Sequence, residues 1–80
     1  MPTLTLYYMD SCPYCNKVLN YMKQSGISLP MKNVKENPLF HQELMKMGGK
    51  GQVPCLVIDG KALYESDDII QWLKINWRSK

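Results

Sequence analysis

Polar and apolar positions alternate through Thr3-Leu4-Thr5-Leu6-Tyr7-Tyr8, a segment that ends in aromatics and predicts a strand. Helical spacing follows. Val18, Leu19 and Met22 recur at i, i+1 and i+4, as on a buried helical stripe. Proline has a fixed φ and no N–H, so it suits a first helical position. That makes Cys12 the expected N-cap and Pro13 the first residue of this helix, with Ser25-Gly26 as its stop. Ser28 to Val34 is expected as a second strand, at an edge because Pro30 interrupts it. Asn37-Pro38 repeats the cap-and-proline start. Leu39, Phe40, Leu44 and Met47 supply the apolar face of that second helix, and Gly48-Gly49 ends it.

Cys55-Leu56-Val57-Ile58 and Lys61-Ala62-Leu63-Tyr64 flank Asp59-Gly60. An Asp-Gly pair between two short strand-like runs is a favoured hairpin turn, because both central residues need positive φ. Ser66 is the expected cap of a last helix. Asp67 and Asp68 stand in its first turn, Lys74, Arg78 and Lys80 towards its end, and Ile69, Ile70, Trp72, Leu73 and Trp77 on its buried face. The order is β-α-β-α-β-β-α. Its first three elements can form a parallel βαβ unit, and the hairpin adds antiparallel strands. The expectation is an α/β domain, a four-stranded mixed sheet covered by three helices.

Eighty residues hold one domain, 1–80, because a second core would not fit. Hydrophobic residues make up 45% and charged residues 21%, which excludes a disordered composition. A net charge of +3 favours small anions slightly and is too dilute to argue for nucleic acid. Met1-Pro2-Thr3-Leu4 lacks the basic region and apolar run of a secretory signal. No stretch approaches the roughly 20 apolar residues that span a bilayer. The expectation is a cytoplasmic monomer with no membrane partner. Three cysteines, an odd and low count, argue against a disulfide scaffold.

Cys12 and Cys15 stand at the N-cap and third helical position, where residues at i and i+3 share a face. One helical turn brings their Cα atoms within the roughly 7 Å a disulfide needs. The first N–H groups of a helix lack intrahelical acceptors and point towards the N-cap, and the helix dipole adds positive charge. Both stabilise a thiolate, and such sites lower a thiol pKa from about 8.5 to roughly 3.5–7.5. Cys12, at the exposed end, is the expected nucleophile. Cys15, inside the turn, is the expected resolving thiol. Zinc would need a second ligand pair, and Cys55 and His41 are scattered, so no metal is expected. Cys55 reads as core, and His41 as a solvated helix residue. A C-x-x-C at the end of the first strand of a βαβ unit supports a thioredoxin-like redox site.

Cys12-Pro13-Tyr14-Cys15 resembles the dithiol glutaredoxin motif, Val53-Pro54 that family's Val-Pro segment with a cis proline, and Ser66-Asp67-Asp68 its glutathione-binding corner. The resemblance covers essentially the whole chain. It implies a thioredoxin-like fold and glutathione-dependent disulfide exchange, poised near about −200 to −230 mV. It implies Cys12 as nucleophile and Cys15 as resolving thiol, with protein disulfides and glutathione mixed disulfides as substrates. The Val53 backbone would pair with glutathione as with an added strand, and Pro54 would wall the site. Ser66 and Asp67 would receive the γ-glutamyl end, Lys50 the glycyl carboxylate, and Tyr14 would pack beside the tripeptide. Met9, three residues before Cys12, stands where the family frequently has a lysine, with Asp10 following. Gln52, in the glutathione-binding segment, replaces its common threonine. Gln52-Val53-Pro54 and Glu65-Ser66 are similar instead to the N-terminal domain of glutathione transferases. Two alternatives therefore stand beside the oxidoreductase. One is a glutaredoxin-like module bridging an iron–sulfur cluster through Cys12 and glutathione, which Pro13 disfavours. The other is a transferase-like glutathione-binding domain, for which no helical half is expected after Lys80.

Overall fold

The two Pro-initiated helices form where the sequence places them. In the computed structural model, which describes residues 3–77, α1 runs Pro13–Ser25 behind Cys12 as N-cap, and α2 runs Pro38–Gly48 behind Asn37. Asn37 caps through its side chain, its Oδ1 accepting the Leu39 N–H at 3.0 Å. The strands are β1 (Leu4–Tyr8), β2 (Met31–Asn33), β3 (Cys55–Ile58) and β4 (Lys61–Leu63), and α3 is Ser66–Asn76. β2 is shorter than Ser28–Val34, with Pro30 just outside it, its carbonyl accepting the Leu6 N–H at 3.0 Å. The β3–β4 hairpin turns through Asp59 (φ 50) and Gly60 (φ 85), the positive φ values the Asp-Gly pair predicts.

The sheet order is β2-β1-β3-β4. β1 and β2 are parallel across α1, and β3 lies antiparallel to both β1 and β4. This is the thioredoxin-like fold. Side-chain alternation sorts the interior into two layers. Leu6 and Leu56 face Val18 and Met22 of α1 and Ile69 and Leu73 of α3. Tyr7, Cys55 and Val57 face Leu44 of α2.

Three expectations change. Leu39 and Met47 are exposed at 59% and 40%, because Leu44 and the half-buried Phe40 already fill α2's inward stripe. Ser66 is the first residue of α3 rather than its cap. The cap position is Glu65, held at φ 71 without a side-chain capping bond. Arg78 and Lys80 lie outside the described residues. No described helix is long and apolar enough to cross a membrane.

Candidate functional site

Antiparallel register brings the two halves of the site together. Tyr7 pairs with Cys55 at the last rung of the β1–β3 ladder, so the residues that follow β1 and those that precede β3 leave the sheet at the same end. The turn after β1 delivers Cys12, and the chain before β3 delivers Val53-Pro54, whose peptide bond is cis, as the resemblance implies. Pro54 is fully buried. The Cys12 Sγ–H donates to the Val53 carbonyl at 3.9 Å. This differs from the N-cap expectation, since Sγ makes no capping hydrogen bond to the helix. A thiolate has no proton to donate, so the Val53 contact belongs to the thiol form.

Cys15 is wholly buried, whereas Cys12 is partly open to solvent, and all three cysteines are free thiols. Burial pushes the Cys15 thiol up to about 12, and the neighbouring Cys12 sulfur adds to the rise. One contact opposes them: the Met9 N–H donates to Cys15 Sγ at 3.4 Å. Cys55 is buried on the α2 side and pushed up to about 11 by burial, as a core thiol should be. His41 is exposed. No group of three or more His, Cys, Asp or Glu gathers among the described residues.

Beside the cysteines opens a groove of about 590 Å³. Tyr14 contributes one flank, Gln52, Val53 and Pro54 the floor, and Ser66 and Asp67 the far end. These six are the expected ligand-contacting residues save one. Lys50 does not line the groove; its ammonium lies 5.0 Å from the Tyr64 ring centroid, and its carbonyl accepts the Tyr64 hydroxyl at 3.2 Å. Three further residues do line it: Lys17, Glu65 and Asp68. Lys17 pairs with Asp67 across the groove. The Gln52 amide donates to Glu65 Oε2 at 3.2 Å, so the positive-φ residue before α3 turns its carboxylate to the floor. Lys17 was legible in principle, since it stands three residues after Tyr14 on the same helical face.

The fold and a C-x-x-C facing a Val-Pro segment define a thioredoxin-superfamily redox site. The family described as glutathione S-transferase, N-terminal domain, matches residues 6–78. Glutaredoxin 3 of Escherichia coli K12 is 26% identical over 69 residues, 86% of this chain and 83% of that protein. Prostaglandin E synthase 2 of Danio rerio is 37% identical over 78 residues, 96% of this chain but 20% of that protein. The holo form of glutaredoxin C1 from Populus tremula x tremuloides superposes with a TM-score of 0.69 at 26% identity, covering 92% of this chain and 76% of that one. The chain belongs to the glutathione S-transferase N-terminal domain family and, within the thioredoxin superfamily, is of the glutaredoxin type, a thiol–disulfide oxidoreductase.

Proposed function

We propose that this protein is a glutathione-dependent oxidoreductase that reduces glutathione mixed disulfides and protein disulfides, acting as a monomer in a reducing compartment such as the cytoplasm. The observation that carries the reading is the asymmetry of the two sulfurs beside one groove. Cys12 is reachable and Cys15 is buried with its thiol held far above neutrality.

Cys12, as thiolate, attacks the glutathionyl sulfur of a mixed disulfide. A Cys12–glutathione disulfide forms, and the substrate sulfur leaves and takes up a proton. A second glutathione thiolate then attacks that glutathionyl sulfur. Oxidised glutathione leaves, and Cys12 is restored. With a protein disulfide, Cys12 bonds to one substrate sulfur. Cys15 then loses its proton and attacks Cys12 Sγ, which forms the Cys12–Cys15 disulfide and releases the reduced substrate. Once Cys12 is in a mixed disulfide it carries no negative charge. One of the causes that raises the Cys15 thiol has then gone, at the moment Cys15 must ionise.

The groove suits glutathione. The Val53 backbone offers strand-like pairing to its cysteinyl part. At the far end Ser66 opens α3, whose first N–H groups suit the γ-glutamyl carboxylate, and Asp67 and Glu65 suit its ammonium. Turnover of a glutathionylated substrate, coupled to glutathione and its reductase, tests this. Cys12→Ser should lower the rate to background, and Cys15→Ser should spare it; an intact rate in Cys12→Ser refutes the assignment.

The family match and the Gln52–Glu65 contact support a second reading, a transferase-type glutathione-binding domain. Conjugation of a chloroaromatic substrate with glutathione, independent of Cys12, would favour it.

A further inference from the structure

Asn33 is a buried polar side chain, 5% exposed, that the exchange chemistry leaves without a role. It ends β2, the edge strand beside β1. Its Oδ1 accepts the Lys35 N–H at 2.9 Å, and its Nδ2 donates to Asp10 Oδ2 at 3.0 Å. These partners fix the amide's orientation, since an N–H only donates and an ionised carboxylate only accepts. Asp10 lies in the turn that leads from β1 to Cys12. Its neighbour Met9 touches both cysteines. The Met9 carbonyl accepts the Cys12 N–H at 3.4 Å, and the Met9 N–H donates to Cys15 Sγ at 3.4 Å. One side-chain hydrogen bond thus ties the end of β2 to the turn beside Met9, whose N–H and carbonyl meet the two members of the dithiol.

We propose that Asn33 and Asp10 form a clamp that positions the Met9 peptide on Cys15, making both positioning residues for the resolving step. The clamp rests on the reading of Cys15 as resolving thiol. The two sulfurs depend on it unequally. Cys12 Sγ contacts the Val53 carbonyl, at 3.9 Å, rather than Met9. Cys15 Sγ relies on the Met9 N–H as the contact that favours its thiolate against burial. Without the clamp the turn gains freedom, the Met9 N–H leaves Cys15, and resolution slows while the first attack by Cys12 continues.

The test compares two rates in the full chain. A small glutathionylated substrate needs Cys12 alone, whereas a protein disulfide needs Cys15 as well. Asp10→Ala and Asn33→Ala should each lower the protein-disulfide rate about tenfold, within the roughly hundredfold that a misplacement of about 1 Å can cost. The glutathionylated-substrate rate should stay within about twofold, and the double variant should lose no more than either single one, because both remove one contact. Asp10→Asn keeps an acceptor oxygen for Asn33 and should retain the wild-type ratio of rates. Equal losses in both rates, no loss, or Asp10→Asn as damaging as Asp10→Ala would overturn the clamp. Asp10 is exposed, so its variants carry the test if Asn33→Ala fails to fold. If the wild-type protein reduces neither substrate, the parent reading fails instead. The clamp is then read from iodoacetamide labelling of Cys15 in a Cys12→Ser background at one pH. Slower labelling in Asp10→Ala than in Asp10→Asn supports it, and equal labelling refutes it.

Discussion

Two cysteines one helical turn apart differ because one is wholly buried and the other stands at the partly open N-cap position of α1. Burial favours the neutral thiol, so the pKa of Cys15 rises to about 12 and its thiolate is scarce at neutral pH. The sign of the pH dependence follows. In the folded, reduced protein at pH 8, iodoacetamide should label Cys12 while Cys15 and Cys55 stay unmodified. Cys15 labelling should emerge only as pH climbs towards its raised pKa, or on unfolding. Labelling of Cys15 at pH 8 as fast as in the unfolded chain would contradict the assignment. At this scale the sequence was most informative where a residue's chemistry is local. The proline between the cysteines and the apolar setting of Cys55 were legible. Asn33 and Glu65 were not, because their roles exist only once β2 and α3 are brought beside the active-site turn.

The elements announce themselves through punctuation: Pro13 and Pro38 start helices, Gly26 and Gly49 follow them, and Asp59-Gly60 turns the hairpin. Which helical face turns inward was read well for α1 and less well for α2. A stripe of four apolar residues cannot all be buried by a helix that meets one sheet face across Leu44. What fixes α2 laterally is polar. The Tyr7 hydroxyl donates to Glu43 Oε1 at 3.0 Å, and Lys32 donates to the same oxygen at 2.9 Å. Lys32 also lies 5.7 Å and 5.2 Å from the Tyr7 and Phe40 ring centroids. Tyr7 is 2% exposed, so its ring is held by packing and only its hydroxyl reaches the carboxylate. Tyr7→Phe should lower stability by about 1 kcal/mol in denaturant unfolding, the usual net worth of such a hydrogen bond. It should leave Cys12 labelling unchanged. A loss near that of a large-to-small core substitution, about 3 kcal/mol or more, would mean the hydroxyl does more than dock α2.

The whole molecule is a small sheet whose register gathers one reactive end. β1, the β2 terminus, the segment before β3 and the start of α3 converge there, and the groove beside them is lined by residues scattered from Tyr14 to Asp68. The resemblance to glutaredoxins implied this convergence, whereas the order of elements alone leaves open which strand the hairpin joins; the structure sets β3 beside β1. The charge balance did not. The chain carries a net +3, while Glu65, Asp67 and Asp68 line the groove beside a single lysine, Lys17. An acidic groove with one lysine fits a zwitterionic head better than a simple anion. The most direct test is the mass of the protein after incubation with oxidised glutathione, read in the Cys15→Ser background, where no second thiol can release the adduct. The account predicts one added glutathione, mapped to Cys12, and none when Cys12 is also replaced. No adduct, or one carried equally by Cys55, would contradict it.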